Sequence, residues 1–149
     1  MSVVRGRSIL HHYKTAAGSH NLLSAVALNA AQAARTLDIK LGLSTSPGSI
    51  EFVIVGVDYT FSAATDVRAD VYGSLDGGAT YKRLQSSSVA SGLDTLSDYI
   101  VRKVTGSANQ SFAFTLAVDG CTDLRCIFSG SGSPGAGDLI TVQASGGCR

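Results

Sequence analysis

Short apolar runs recur along this chain at intervals of about ten residues from Arg35 onward, and Gly, Ser, Pro or Asp stand between them. Within the runs, apolar and polar residues often alternate, as they do in a strand with one buried face. In Ser111 to Val118, for example, Phe112, Phe114 and Leu116 alternate with Ser, Ala and Thr. No helical spacing separates the runs. The pattern therefore predicts an all-β protein, an antiparallel β-sandwich with a jelly roll as the candidate topology.

The segments with this strand pattern are 36–43, 50–60, 67–72, 80–84, 99–104, 111–118, 124–129 and 139–144. Ile50 to Thr60 carries apolar residues in both alternating rows, so we expect a central strand that is covered on both faces, with a neighbouring subunit as one candidate for the second cover. Gln85 to Ser97 is rich in serine and predicts a long connection. Gly130 to Asp138 is rich in glycine and serine and predicts a surface loop.

The octet Ser74 to Tyr81 reads Ser-Leu-Asp-Gly-Gly-Ala-Thr-Tyr and contains the strongest turn signal of the chain. Asp76, Gly77 and Gly78 are residue types that tolerate a positive φ, and apolar segments flank them on both sides. We predict a β-hairpin at this point, with the Asp76 carboxylate bonded to nearby backbone N–H groups.

The octet also resembles the Asp-box, Ser-x-Asp-x-Gly-x-Thr-aromatic, of sialidase-type propeller blades. That resemblance would imply a glycosidase fold, but a propeller needs at least about four blades of roughly 40 to 50 residues each. The motif occurs once in a chain of 149 residues. We therefore assign Asp76, Gly77 and Gly78 to a structural turn.

The first 34 residues have a different character, and we predict an N-terminal extension (1–34) followed by a β-sandwich domain (35–149). Within the extension, Asn21 to Arg35 is rich in alanine and fits either one amphipathic helix or two extended pieces. The earlier part is basic and apolar and has no motif. We expect it to be either a solvated tail or an arm that orders on a neighbouring subunit. The candidate contact residues of such an arm are Arg5, Arg7, His11, His12 and Lys14.

The charge balance and the apolar pattern exclude some classes of partner. Twelve basic and eleven acidic residues leave no electropositive surface of the kind that nucleic-acid binding needs. The longest uncharged stretch, Thr15 to Ala34, contains a histidine, two asparagines and a glutamine, so we expect no membrane span. The start of the chain lacks the apolar centre of an export signal.

The cysteines and histidines predict no metal site and no cofactor. Cys121, Cys126 and Cys148 have no Cys-x-x-Cys spacing and no nearby histidine. Cys126 fits a small buried apolar residue, whereas a disulfide between the other two stays open. His11, His12 and His20 lie in a segment without carboxylates, so we expect solvent-exposed or subunit-contact histidines in place of metal ligands.

No catalytic set of residues is recognisable, and we expect no enzyme. The candidate carboxylates, Asp94, Asp98, Asp119 and Asp123, all fall at predicted strand ends or in loops, where turn formation explains them. A serine hydrolase would need a histidine, and all three lie in the first twenty residues, outside the predicted sandwich.

Three parts of the chain together resemble small β-sandwich structural proteins of tailed bacteriophages. They are the strand Ile50 to Thr60, the run Asp66 to Leu84 with its turn, and the ending Leu124 to Val142 with its glycine-rich loop. The resemblance implies a head decoration (cement) protein or a neck or tail component that binds a lattice in many copies. It also implies major capsid, neck or tail proteins and copies of itself as partners, no nucleic acid or membrane, and a virion location after assembly in the host cytoplasm.

A carbohydrate-binding sandwich, on a fibre or in a secreted protein, is the alternative. Such a module would use exposed aromatic side chains as stacking platforms. The candidates are Tyr59, Tyr72, Tyr81 and Tyr99.

Overall fold

The described residues form two antiparallel sheets of six strands each. The computed structural model describes residues 8–41, 50–84, 86–89, 93–96, 99–103 and 109–148. The strands are β1 (Ser8–His12), β2 (Leu23–Ala27), β3 (Thr36–Lys40), β4 (Phe52–Thr60), β5 (Ala64–Ser74), β6 (Lys82–Arg83), β7 (Ser86–Val89), β8 (Leu93–Leu96), β9 (Tyr99–Lys103), β10 (Gln110–Ala117), β11 (Asp123–Gly132) and β12 (Leu139–Cys148). One 3-10 turn, Gln32–Arg35, precedes β3.

Sheet A has the strand order β1-β12-β4-β10-β7, and β2 pairs with β12 beside β1. Sheet B has the order β3-β11-β5-β9-β8, and β6 pairs with β5. Strands β3, β4 and β5 alternate between the sheets, and so do β10, β11 and β12, as expected of a jelly roll. The predicted all-β antiparallel sandwich is confirmed.

The core lies between the sheets, because each central strand turns alternate side chains inward. In sheet A the inward row of β4 includes Val53, Val55 and Val57, each at most 1% exposed. In sheet B, Leu124, Cys126 and Phe128 of β11 are fully buried. Burial of such side chains stabilises the fold by about 1.5–3 kcal/mol each relative to exposure.

The predicted hairpin is confirmed, since β5 and β6 pair antiparallel with Tyr72 opposite Arg83. Both of its glycines have a positive φ, 76° at Gly77 and 93° at Gly78. The prediction for Gln85 to Ser97 is wrong, because β7 and β8 occupy parts of this segment. Neither strand was predicted, because Ser86–Val89 is mostly serine and Leu93–Leu96 has polar residues only at its two middle positions, so neither shows apolar alternation.

The described part of the predicted extension contributes strands to sheet A. Strand β1 pairs with the end of β12, and β2 pairs with its beginning. Asn21 to Arg35 holds both an extended piece, β2, and the 3-10 turn. Tyr13 and Leu28 are 6% and 4% exposed and belong to the core, so this segment packs against the sandwich. The boundary after residue 34 stays a prediction.

Candidate functional site

The outward row of side chains on the central strands of sheet A is small and nearly uncharged. On β4 this row passes through Gly56 and Asp58, since the residues between them point into the core. The pairing places Gln143 of β12 opposite Gly56 on one side and Ala113 of β10 opposite it on the other. Ser111 lies opposite Asp58. Three strands distant in sequence thus place these residues side by side.

A cleft of about 380 Å³ lies over these residues. Its lining residues are Gly56, Val57, Asp58, Ser111, Phe112, Ala113 and Gln143. A Cβ atom built on Gly56 would meet only the carbonyl oxygen of Gln143, at 4.0 Å. The cleft therefore exists where the missing side chain of Gly56 leaves the backbone uncovered.

Two polar pairs border the cleft. Ser111 Oγ donates a hydrogen bond to Asp58 Oδ1 at 2.6 Å. On the other border, Gln143 Nε2 donates to Asn21 Oδ1 at 2.7 Å. An ionised carboxylate has about four acceptor positions and an amide has two donors and an acceptor, so both Asp58 and Gln143 keep capacity for a ligand. The lining includes no lysine or arginine.

The outer face of sheet B carries many more charges, and they contact one another. Arg125 donates to both carboxylate oxygens of Asp38, at 2.6 Å and 3.0 Å, and its guanidinium lies 4.1 Å from the centre of the Tyr81 ring. Arg83 contacts Asp70 at 3.1 Å, and its guanidinium lies 5.1 Å from the centre of the Tyr72 ring.

A second cavity, of about 330 Å³, lies on this face beside the 3-10 turn. It is lined by Gln32, Ala33, Thr36, Asp38, Arg125 and Ile127. Its charged groups, Asp38 and Arg125, are the ion pair described above. A ligand there would compete with that pair for each of them.

The turn between β5 and β6 is held by the hydrogen bonds that the sequence predicts. Asp76 accepts bonds from the Thr80 hydroxyl at 2.6 Å, the Thr80 N–H at 2.9 Å and Ser74 Oγ at 2.8 Å. The bonds from Thr80 and then from Ser74 lower the pKa of Asp76 from 3.8 to about 2. Ser74 Oγ in turn accepts the N–H of Gly78 at 2.9 Å. This rigid turn leaves Leu75 62% exposed.

Asp138 lies at the end of the predicted surface loop but is fully buried. Its carboxylate accepts hydrogen bonds from the Tyr59 hydroxyl and from the backbone N–H groups of residues 62, 63, 64 and 135. Burial alone would raise the pKa of Asp138, but the bonds from Tyr59 and the backbone outweigh it and hold the pKa well below its usual value. Burial and the bond to Asp138 raise the pKa of Tyr59. The hydrogen bonds of Asp138 therefore connect the start of β12 to the segment between β4 and β5.

The predicted contact residues of the N-terminal segment are spread over its described part. Arg5 and Arg7 lie outside the described residues. His11 packs against Tyr13 with ring centroids 4.7 Å apart, and Lys14 is exposed. His12 Nδ1 lies 2.7 Å from Ser145 Oγ, and its ring centroid is 6.4 Å from that of His20.

The predicted aromatic platforms have other contacts. Tyr59 is 2% exposed and bonded to Asp138, so it cannot stack on a ligand. Tyr72 and Tyr81 are half-buried, and an arginine lies over each ring. The side chain of Tyr99 lies outside the described part of the structure.

The cysteines are free thiols. Cys126 is fully buried, as predicted, and burial raises its pKa. Among the described residues, no group of three or more histidine, cysteine, aspartate or glutamate side chains is placed to hold a metal ion. In the same residues, no helix has the length and apolar character needed to cross a membrane.

The residues around the cleft were not predicted from the sequence. The available signal was Gly56 in the middle of an apolar strand, since such a glycine marks a place where the backbone is left open. Strand β4 was predicted to be covered on both faces. In the single chain its outer face is exposed at Asp58, and cover of that face by a neighbouring subunit stays a prediction.

Comparison with protein-family models gives no match, and comparison with curated protein sequences gives none either. Comparison with solved structures finds a structure described as "CBM4 structure and function", with 11% identity and a TM-score of 0.45, over 74% of this chain and 59% of that one. It also finds "Xylan-Binding Domain from CBM 22, formally x6b domain", with 12% identity and a TM-score of 0.40, over 74% of this chain and 63% of that one. This chain thus spans about three fifths of each of those structures.

Proposed function

We propose that this chain is a non-catalytic module that binds carbohydrate in the cleft over Gly56. The observation that carries the proposal is the cleft itself, an open backbone floor between a carboxylate and an amide. Its volume of about 380 Å³ falls within the range of roughly 300–1,000 Å³ that is usual for ligand clefts. The TM-scores of 0.45 and 0.40 are too low to add to it.

The polar groups at the borders fit the chemistry of a sugar. Each sugar hydroxyl can both donate and accept, and planar groups such as those of Asp58 and Gln143 can bond two neighbouring hydroxyls at once. Gly56 lets a sugar ring approach the sheet without a side chain in the way. Because the lining holds one carboxylate and no cation, we expect neutral sugars to bind better than acidic ones.

The same lining disfavours glycoside hydrolysis. That reaction ordinarily uses a pair of carboxyl groups about 5 to 10 Å apart on either side of the scissile bond. Asp58 is the one carboxylate among the described residues that line the cleft. A binding role needs no second carboxylate.

The test is to fill the cleft. Gly56→Leu adds a side chain where nothing else lies within 4 Å apart from the Gln143 oxygen at 4.0 Å, so the fold should tolerate it. We expect wild-type protein to bind at least one polysaccharide in a panel of neutral glucans, xylans and mannans, and Gly56→Leu to bind it at least tenfold more weakly by isothermal titration calorimetry.

Thr60→Leu is the matched control, because Thr60 is exposed on the same face of β4 but does not line the cleft. It should bind as wild type does. If a folded Gly56→Leu protein binds as well as Thr60→Leu, the cleft is not the site. If no carbohydrate binds the wild type, the proposed function fails.

A structural role in a tailed-phage particle is the second candidate, and the exposed Leu75 favours it. An apolar side chain that is 62% exposed on a rigid turn is suited to anchor a neighbouring subunit. This role would make the protein a virion component bound to a capsid or tail lattice in many copies. Deletion of residues 2–20 would remove the candidate N-terminal arm, but it would also remove β1 and the core residue Tyr13. Leu75→Ser is a better variant, and it should lower incorporation into particles without unfolding the domain.

A further inference from the structure

Two of the three histidines for which we expect solvent exposure or subunit contacts lie close together where β1 pairs with β12. His12 lies at the end of β1 opposite Ser145, and His20 lies in the connection to β2. Their rings are nearly perpendicular, at 81°, with centroids 6.4 Å apart, and both residues are exposed.

This separation is close to what a shared metal ion requires. Zinc binds histidine nitrogen at about 2.0–2.1 Å, so two imidazoles on one ion have centroids about 4.5 to 6.5 Å apart, depending on the angle at the metal. Exposed side chains can close the remaining distance by small rotations. Imidazole nitrogen is a good ligand for Zn²⁺, Ni²⁺ and Cu²⁺.

A hydrogen bond with Ser145 is a second feature, independent of the ring separation, that favours metal binding by His12. His12 Nδ1 lies 2.7 Å from Ser145 Oγ, so a proton on Nδ1 can be donated to that oxygen. The other nitrogen, Nε2, then carries the lone pair that binds a metal. Hydrogen bonds of this kind fix the tautomer and the ring orientation of metal-binding histidines, and their loss commonly weakens metal binding 10- to 100-fold.

We propose that His12 and His20 bind a divalent transition-metal ion on the edge of sheet A, with Ser145 as the orienting residue and water in the remaining coordination positions. The site is smaller than the groups of three or more side chains that are absent from the described residues. It shares no residue with the lining of the cleft and does not depend on the proposed carbohydrate binding.

The experiment is a calorimetric titration of ZnCl₂ into the full chain, free of any polyhistidine tag and treated with chelator. We expect one ion per chain. His20→Asn and His12→Asn should each weaken zinc binding at least tenfold. In the latter, the asparagine amide can still bond Ser145 while Nε2 is lost. Ser145→Ala should weaken it by about tenfold.

His11→Asn is the matched control, because His11 is the neighbouring residue and its ring packs against Tyr13. It should bind zinc as wild type does. The shift of the His12 and His20 imidazole NMR signals on zinc addition gives a readout that is independent of folding. The proposal is overturned if wild type binds no zinc, if His11→Asn weakens binding as much as His12→Asn, or if those imidazole signals do not move.

Discussion

The outer faces of the two sheets differ in what their polar groups contact. On sheet B, Arg125 is bonded to Asp38 and lies over Tyr81, and Arg83 makes the same kind of contacts with Asp70 and Tyr72. On sheet A, the cleft over Gly56 is bordered by groups that keep acceptor and donor positions open to solvent. The charged groups of sheet B are therefore bonded to one another, whereas the polar groups around the cleft of sheet A still have donor and acceptor positions that can bind a ligand.

The largest effect on stability is expected from Asp138, because this residue links the two sheets. Asp138 anchors the connection from β4 in sheet A to β5 in sheet B. Asp138→Ala leaves the Tyr59 hydroxyl and the Ala64 N–H, both on buried residues, without an acceptor, at a cost of about 1–3 kcal/mol for each. The part-buried bonds from the N–H groups of residues 62, 63 and 135 are lost as well. We expect the free energy of unfolding to fall by about 3 kcal/mol or more, as measured by urea denaturation.

Asp119→Ala is the control for this variant, since Asp119 is an exposed turn residue. It should change stability by less than about 0.5 kcal/mol. Equal effects of the two substitutions would contradict the role assigned to Asp138.

The next prediction compares one carboxylate on each face. Asp58→Asn should weaken binding of a neutral polysaccharide by about tenfold or more, because hydrogen bonds to a charged group contribute about 1.5–3 kcal/mol. It should also reduce the preference for neutral over acidic sugars. Asp38→Asn, on sheet B, should leave the affinity unchanged. A loss of affinity in Asp38→Asn alone would reverse the assignment of the two faces.

Arg125→Ala tests whether the charges of sheet B serve stability. The variant loses an ion pair with Asp38 that is partly exposed and a cation–π contact with Tyr81. An exposed ion pair contributes about 0.2–1 kcal/mol to stability, and an exposed cation–π contact contributes about 0.5–1 kcal/mol. We expect the free energy of unfolding to fall by about 1 kcal/mol and the affinity for carbohydrate to stay the same. Weaker ligand binding by a stable Arg125→Ala protein would mean that sheet B also contacts the ligand.

The smallest effect is a pH dependence at the turn that leads into Tyr81. The pKa of Asp76 is lowered to about 2 in the folded protein, so the unfolded chain takes up the proton first as pH falls. The stabilisation is therefore complete above about pH 4 and is lost between about pH 4 and pH 2. Asp138, whose pKa is also lowered, adds to the acid sensitivity.

The difference between wild type and Asp76→Asn isolates the contribution of the turn. In urea denaturation across this pH range, Asp76→Asn should be less stable than wild type above pH 4, and the gap should close towards pH 2. A gap that stays constant with pH would show that the charge of Asp76 does not hold the turn.

The local parts of the fold could be predicted from the sequence. Alternation predicted β4, β10, β11 and β12, and the Asp76 turn predicted the β5–β6 hairpin, because these signals come from neighbouring residues. The serine-rich β7 and the short β8, Leu-Asp-Thr-Leu, carry no such signal. The pairing of β1 and β2 with β12 is a contact between distant segments, and no local pattern encodes it.

The candidate site could not be predicted for the same reason. Gly56, Ser111 and Gln143 come from three strands, and each is an ordinary strand residue by itself. Only the register of β4 with β10 and β12 places them around one cleft. The prediction of a stacking platform at Tyr59 is wrong, because sequence does not reveal that Asp138 bonds this side chain in the core. Nor does sequence reveal that Arg83 and Arg125 lie over the rings of Tyr72 and Tyr81. The prediction for Tyr99 stays untested.

The position of β12 in sheet A also bears on how the chain acquires its fold. This strand pairs with β1, β2 and β4, and the contact between His12 and Ser145 spans 133 positions of the chain. Contacts of such high sequence separation slow folding, because a large loop must close before they stabilise anything. During synthesis, β1 and β2 cannot complete their pairing until β12 has left the ribosome, so until then their edges are exposed to wrong partners.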